Sequence, residues 1–422
     1  MKLSGRHALS LTAIILVLSG CKESAPLLKA DEQLVKIGHA APLTGTQAHI
    51  GKDNENGVRL AIEEANSAGI SIGGKKIRFQ LLSEDDQADP KNGTIVAHKL
   101  ADAEINGMIG HLNSGTTIPA SRVYHDAGIP QISPSATNPR YTQQGFKSAF
   151  RTMANDEQQG RLLGQFATRH LSAKRIAIID DRTAYGQGLA DEFEKSVKSN
   201  GGVIVAREFT TDKSTDFRAI LTSIKGNQPD LLFFGGMDPQ GGPLMRQVRS
   251  LGITAQFLSG DGLYTPEFIK LAGDASEGAY SSLPGVPLEK MPNGLAFRDK
   301  YRAKYNRDIQ LYAPFCYDAV NIMIEAMKRA DSVKPEKYLP ELIKTDYSGV
   351  TARIMFDERG DLKAGAITFY RVRNGKWEVA ETLSSTPLQS SPAATQSDTK
   401  NPNNIPRISF LTHTNRINPI PA

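Results

Sequence analysis

Apolar and polar positions follow two periods along most of the chain. From Leu34 the run "LVKIGHAA" reads as a buried strand and "PLTG" as the turn that ends it. In "NGVRLAIEEANSAG" the residues Val58, Leu60, Ala61, Ile62 and Ala65 recur at helical spacing, and Gly69 supplies a stop. "KKIRFQLLSEDD" then predicts a strand, "NGTIVAHKLADAE" a helix and "INGMIGHL" a strand. "TTIPASRVYHDAG" follows as a helix and "IPQISPSA" as a strand. Strands and helices alternating through short polar loops imply a mostly parallel sheet covered on both faces.

The same grammar restarts near residue 157. Helices are expected in "EQQGRLLGQFATRHL", "QGLADEFEKSVKSNG", "FRAILTSIKGN" and "PLMRQVRSLG", and strands in "KRIAIIDD", "VIVAREF", "DLLFFGG" and "AQFLSGDG". Residues 284–380 are too few for a third unit of that size. They hold two helical stretches, "GLAFRDKYRAKY" and "YDAVNIMIEAMKRA", then strand-like "ITFYRVRNGKWEVAE". This last part is expected to complete both units. The fold class is α/β, and a length of 422 residues suits two or three domains.

Both ends depart from this grammar. Lys2 and Arg6 precede the apolar stretch "ALSLTAIILVLS", the layout of a secretory signal over residues 1–20 and too short to span a bilayer comfortably. "LSGC" (Leu18 to Cys21) resembles the bacterial lipobox, which implies that Cys21 carries lipid and becomes the mature N-terminus. Residues 21–33 then read as a tether. From residue 383 to 422 Pro, Ser, Thr and Asn dominate, with "RISFLTH" as an apolar island, so a disordered tail is expected.

Composition narrows the function. At 39% apolar and 23% charged the chain is an ordinary globular protein. Removing Lys2 and Arg6 with the signal lowers its formal charge from +5 to +3. Both signs are interspersed, without the basic stripe of a nucleic-acid binder. Of two cysteines, Cys21 is assigned to lipid, so no intramolecular disulfide is expected, and Cys316 reads as a small buried apolar residue.

Catalytic patterns are missing from the sequence: no G-x-S-x-G, no Walker A, no H-E-x-x-H. His39, His49, His98, His111, His125 and His170 are scattered without metal-ligand spacing, and "EDD" (84–86) reads as a solvated loop. "GGMDPQGG" lacks the G-x-G-x-x-G order, so no dinucleotide, metal or other cofactor is implied. What remains are polar residues at strand ends, where open α/β sheets bind ligands. They are Ser114 and Thr116 after "GMIGHL", Ser135 to Thr137 after "IPQI", Tyr185 after "IAIIDDRTA", and Asp261 after "AQFLS". Hydroxyls and loop amides suit a carboxylate; an acid suits an ammonium; together they describe a free amino acid. Taken singly, each has a structural alternative: a helix cap at Ser114 or Thr116, a turn in "SPSATNP", a core edge at Tyr185, a turn residue at Asp261.

In order along the chain, "IGHAAPLTG", "EDDQADPKNG", "IGHLNSGTTIPAS", "ISPSATNP", "IAIIDDRTAYGQGLADEF", "FFGGMDP", "QFLSGDG", "LAGDASEGAY" and "FDERGDLK" resemble the periplasmic leucine/isoleucine/valine-binding proteins of ABC importers. The resemblance runs from about residue 34 to 380. It implies a type I periplasmic binding protein, with two Rossmann-like lobes around parallel-rich sheets, joined by three crossovers. Lobe 1 would comprise 34–155 and 284–361, and lobe 2 156–283 and 362–382. Ser114 and Thr137 match the residues that hold the α-carboxylate, with a loop amide nearby, and Ala136 joins the ligand set. Ser135 matches a backbone contact to the ammonium, and Tyr185 the tyrosine reached from lobe 2. Asp261 stands where the family usually has Glu; being one methylene shorter, it requires the ammonium to sit deeper or to be reached through water.

Ile50 and Met237 are aliphatic where the branched-chain binders line the side-chain pocket with aromatics. The disulfide of close relatives would join positions 88 and 113, here Ala88 and Asn113, so it is absent. The expected partners are a free amino acid, branched-chain or otherwise apolar, an importer permease and the membrane through the lipid at Cys21, with no nucleic acid. The protein is expected to be a monomer outside the cytoplasm. A sensor of a small amide, urea or aromatic acid on the same fold is the alternative. An enzyme lacks any nucleophile–base pair.

Overall fold

Strand β1 (Glu32–Ala41) lies at the centre of the first sheet, between β3 (Lys75–Asp85), reached after the short β2 (Ser71–Ile72), and β4 (Gly107–Gly110). β5 (Gln131–Ser133) and β6 (Ala149–Arg151) continue it in the order β2-β3-β1-β4-β5-β6, parallel except for β2. The second sheet starts with β7 (Arg175–Asp180), β8 (Val203–Phe209), β9 (Leu231–Gly235), β10 (Gln256–Ser259) and β11 (Tyr280–Pro284), all parallel. A small hairpin, β12 (Asp346–Ser348) and β13 (Arg353–Met355), precedes β14 (Ala366–Arg373) and β15 (Lys376–Ser384), which extend the second sheet antiparallel. Its order is β15-β14-β11-β10-β9-β7-β8. Each sheet therefore reverses its winding beside its first strand, the arrangement that opens a crevice at the carboxyl ends. The strand β9, "LLFFG", is buried along its whole length, as a strand covered on both faces must be.

This computed structural model describes residues 28, 29 and 31–384. The expected signal, Cys21, most of the tether and the tail beyond Ser384 lie outside the described residues. β1 begins two residues inside the expected tether, because Glu32 and Gln33 pair with Lys76 and Ile77. β15 runs to Ser384, paired with Ala366, and so takes in the first two residues assigned to the tail.

The chain passes between the sheets three times: after Arg151, after Pro284 and before Ala366. The middle pass delivers the helices Gly294–Tyr305 and Ala313–Arg329 to the first lobe. Cys316, in the second of these, is fully buried, and burial pushes its thiol well above the usual range.

Three elements differ from the sequence expectation for identifiable reasons. The first helix runs Ala48–Ser67, eight residues earlier than expected at 56, because Asp53 and Asn54 are buried rather than solvated. The helix Asp238–Ser250 starts five residues before its expected start at 243. Gly241 and Gly242 there are packing positions, since a Cβ would come within 2.9 Å of Leu263 and 2.4 Å of Leu271. "ITFYRVRNGKWEVAE" splits into a hairpin at Asn374-Gly375, both at positive φ (49° and 68°), as a two-residue primed turn requires.

Asp53 explains how polar residues came to be inside. Its carboxylate accepts the backbone N–H groups of Gln310, Leu311, Tyr312 and Ala313 at 2.9–3.0 Å and the Tyr301 hydroxyl at 2.9 Å. Those amides open the helix Ala313–Arg329, so an acid on one helix caps the next. The cap also fixes Tyr312, which the site uses.

Candidate functional site

The carboxyl ends of β1, β4 and β5 face those of β7, β9 and β10. A cavity of about 400 Å³ lies between them, lined by Gln47, Asn113 and Gly115 from the first lobe and by Thr183, Tyr185 and Met237 from the second. An adjoining cavity of similar volume shares Gln47, Ala88, Pro90 and Asp212 with it. Hydrogen bonds span the cleft in this structure. Asn138 Nδ2 donates to the Ala184 carbonyl at 2.5 Å, Tyr312 Oη to Asp261 Oδ2 at 2.5 Å, and His49 Nε2 meets Asp238 Oδ2 at 2.7 Å.

On the first lobe the helix Ser114–Asp126 points its N-terminus at the cleft. Its N-cap, Asn113, makes no capping bond and donates its amide to Gln47 at 2.8 Å. Thr116 and Thr117 donate their hydroxyls to the Asn113 carbonyl, so neither caps the helix. An uncapped helix start with Asn113 and Gly115 on the cavity wall is a seat for an anion. Ser114 Oγ accepts the Asn138 amide at 3.2 Å, and Ser135 Oγ donates to the Leu112 carbonyl at 3.1 Å. Ala136 has both backbone groups engaged, its N–H on Ser133 Oγ and its carbonyl on Arg151. Thr137 Oγ1 is buried without a hydrogen-bond partner.

One cation holds this face. Arg151, fully buried, donates to Asp361 at 2.6 Å, to the carbonyls of Ala136 and Asn138, and to Thr142 Oγ1. "SPSATNP" and "FDERGDLK", far apart in sequence, therefore meet through a single guanidinium. Its planar fork suits several acceptors at once.

The second lobe contributes acids and phenols. Asp261 is buried at the end of β10, and its Oδ1 accepts Gln159 Nε2 at 2.8 Å and Tyr185 Oη at 3.0 Å. Burial raises the Asp261 pKa against the lowering effect of Tyr312, Gln159 and Tyr185. Tyr185 Oη also accepts the Gly262 amide at 3.0 Å. Glycine is needed at 262, because a Cβ would lie 2.6 Å from the Gly236 carbonyl. Among the sequence-derived residues, Tyr185 and Met237 line the cavity, whereas Ser114, Ser135, Ala136, Thr137, Asp261 and Ile50 do not. Ile50 is fully buried in an apolar cluster that includes Tyr185, Met237 and Tyr312.

Sequence reasoning missed Gln159, Tyr312 and Asp156, which cluster around Asp261. Gln159 reaches Asp261 and is itself held by Ser282 Oγ at 2.8 Å. Tyr312 stands just before a helix in "LYAPFCYDAV", and an aromatic two residues before Pro at a helix start was the available signal. Asp156 follows the N-cap Asn155, whose capping box with Gln158 already satisfies the helix start. Its carboxylate is free of that duty. Burial first, and the charge of Asp261 second, push its pKa up to about 8.

A cleft between two doubly wound sheets, polar at its ends and spanned by bonds between lobes, defines a two-lobed binding protein for a small ligand. A family model for periplasmic binding proteins matches residues 34–376, and the chain belongs to that family. It is 38% identical over 348 residues to a Leu/Ile/Val-binding protein homolog of Brucella abortus, covering 82% of this chain and 90% of that one. The leucine-, isoleucine-, valine-, threonine-, and alanine-binding protein of Pseudomonas aeruginosa is 34% identical over 336 residues, covering 80% and 89%. The branched-chain amino acid transporter substrate-binding protein of Streptococcus pneumoniae, solved with isoleucine, superposes with a TM-score of 0.75 at 28% identity, covering 83% of this chain and all of that one.

Proposed function

We propose that this protein captures a small, uncharged-side-chain α-amino acid between its lobes, outside the cytoplasm, and delivers it to an ABC importer permease. The observation that carries the reading is the polarity of the cleft. An uncapped helix N-terminus stands on one lobe, and a buried acid held by two tyrosines and a glutamine stands on the other. The first complements a carboxylate and the second an ammonium. The names of the relatives, which span leucine to threonine and alanine, support the same ligand class. So does a lining that mixes Met237 with the hydroxyl of Thr183 and the amides of Gln47 and Asn113.

The role requires no bond making. Closure of the lobes sequesters the ligand and shapes the surface a permease meets. A lipid at Cys21, supported by "LSGC", would keep the protein at the membrane that holds its permease. Loss of palmitate labelling in Cys21→Ser tests that anchor.

A thermal-shift panel tests the function. At a ligand concentration one hundred times Kd the stabilisation is about 2.7 kcal/mol, enough to move the melting temperature. Leucine, isoleucine, valine, threonine or alanine should shift it, and their des-amino acids should not. A shift with amides, urea or benzoate in place of amino acids would install the sensor alternative.

A further inference from the structure

An apolar cavity of about 250 Å³ lies where the chain crosses between the lobes. All three passes reach its wall: Thr152, Met153 and Ala154 on the first, Gly285 and Val286 on the second, Gly365 on the third. None of its lining residues lines either cavity of the ligand cleft.

Its chemistry is the reverse of the cleft's. Met153, Phe315, Ile354 and Leu362 give the wall its apolar character. The two threonines on it have their hydroxyls committed. Thr152 Oγ1 donates to the Phe315 carbonyl at 3.4 Å and Thr351 Oγ1 to Asp318 Oδ2 at 2.6 Å, so neither is left for a polar guest. Lys290 is the single charged residue of the wall. It is exposed, and its ammonium enters no ion pair among the described residues. An apolar interior with one ammonium at the rim complements an apolar body that carries one carboxylate. Size narrows the guest further. A dry apolar cavity of about 150 Å³ takes a benzene ring, so this one holds a ring with a short arm. A compact open-chain acid would leave part of it empty and forfeit contacts.

We propose that this hinge cavity binds a small ring-bearing monocarboxylate, its ring against Met153, Phe315 and Leu362 and its carboxylate at Lys290, and that the occupant favours closure of the lobes. The site lies outside the amino-acid cleft and adds an effector to the function proposed above.

The connection to the cleft is short. Phe315 stands in the first turn of the helix Ala313–Arg329, its amide bonded to the Tyr312 carbonyl at 3.0 Å, and Tyr312 reaches across to Asp261. Gly285 takes φ 104°, a conformation that favours glycine, and a Cβ there would come within 3.3 Å of the Phe315 ring. The three passes join the lobes, so their spacing changes when the lobes move. The cavity has its present shape while Tyr312, Asn138 and His49 are bonded across the cleft. A guest that fits this shape favours the bridged arrangement, and by linkage it raises the affinity for the amino acid.

Calorimetry on the full chain in detergent, saturated with isoleucine to fill the cleft, tests the site with phenylacetate as the probe. Phenylacetate should bind in a single class of site, uncharged phenylacetamide should bind more weakly, and further isoleucine should not displace the acid. Ala352→Leu, at a half-buried wall position in the turn between β12 and β13, should abolish binding by filling the cavity. Lys290→Glu should weaken binding roughly fivefold, the scale of an exposed ion pair. Saturating phenylacetate should in turn raise isoleucine affinity roughly fivefold. No saturable binding by the wild type overturns the site without any variant. Displacement by isoleucine would put the acid in the cleft, and unaltered binding in Ala352→Leu or Lys290→Glu would put it elsewhere; either result overturns the hinge site. Unchanged isoleucine affinity with phenylacetate bound overturns the coupling. If isoleucine does not bind the wild type, the functional reading fails, and the response of phenylacetate binding to the two variants still decides the hinge site.

Discussion

The two walls of the cleft are built on opposite plans. On the first lobe the hydroxyls and backbone groups of Ser114, Ser135 and Ala136 are already engaged, and Arg151 braces the loop that carries the latter two. On the second lobe acids are buried with raised pKa values, and one of them has no partner. The first wall is a rigid frame that presents amides; the second stores electrostatic cost that a cation relieves. Rigid presentation suits a carboxylate, for which helix amides suffice, whereas an ammonium needs charge brought out of water.

The largest effect expected is on the frame. Removing one partner of a buried ion pair costs about 3 to 5 kcal/mol, because the other charge is left alone. Arg151→Ala should lower stability in urea by that amount, stranding Asp361 and freeing the 133–139 loop. Arg151→Met with Asp361→Asn should recover much of it, since the orphaned charge is gone. If Arg151→Ala costs less than about 1 kcal/mol, the first wall is not braced as described.

Next comes the bridge between walls. Tyr312 donates to Asp261 from a segment held by Asp53, so Tyr312→Phe removes one charge-assisted hydrogen bond and little volume. Such a bond contributes about 1.5 to 3 kcal/mol, so amino-acid affinity should fall roughly tenfold to a hundredfold. Its loss also raises the Asp261 pKa further, so the defect should deepen as pH falls toward that pKa. Unchanged affinity in Tyr312→Phe would show that the bridge positions nothing the ligand feels.

The two walls were unequally legible in the sequence. The strand ends were visible because β4, β5, β7, β9 and β10 are short apolar runs closed by polar residues, which placed Ser114, Ser135, Thr137, Tyr185 and Asp261. Gln159 and Asp156 were not, because both sit on a helix whose polar positions look solvated until it packs against the rest of its own lobe. The same misreading hid the first turns of the helix Ala48–Ser67, where Asp53 and Asn54 are buried. Resemblance located Ala136 and Ile50, but a position does not reveal that a backbone group is already bonded or that a side chain faces the core. Partner supply, not residue type, separated Asp53 from Asp156, and it exists only in three dimensions.

The smallest effect concerns the rim, where His49 of the first lobe meets Asp238 of the second. Asp238 is buried and also accepts the Thr265 hydroxyl at 2.5 Å, while the His49 side chain is 22% exposed. Burial of the ring opposes its charge, but the hydrogen bond and charge of Asp238, with Glu267 behind it, prevail and raise the His49 pKa. A raised pKa means that closure is helped fully below the ordinary value of about 6.5 and loses that help as pH climbs through the raised one. A partly exposed pair contributes about 1 kcal/mol at most, or roughly fivefold in affinity. The ratio of wild-type to His49→Gln affinity for leucine should therefore be a few-fold at pH 6 and approach one at pH 9. Comparing the two proteins at each pH cancels any trend from the buried acids of the second lobe, which both proteins carry. A ratio that stays flat from pH 6 to 9 would mean that the rim contact forms without a protonated ring, leaving charge on the second wall as the sole source of pH dependence.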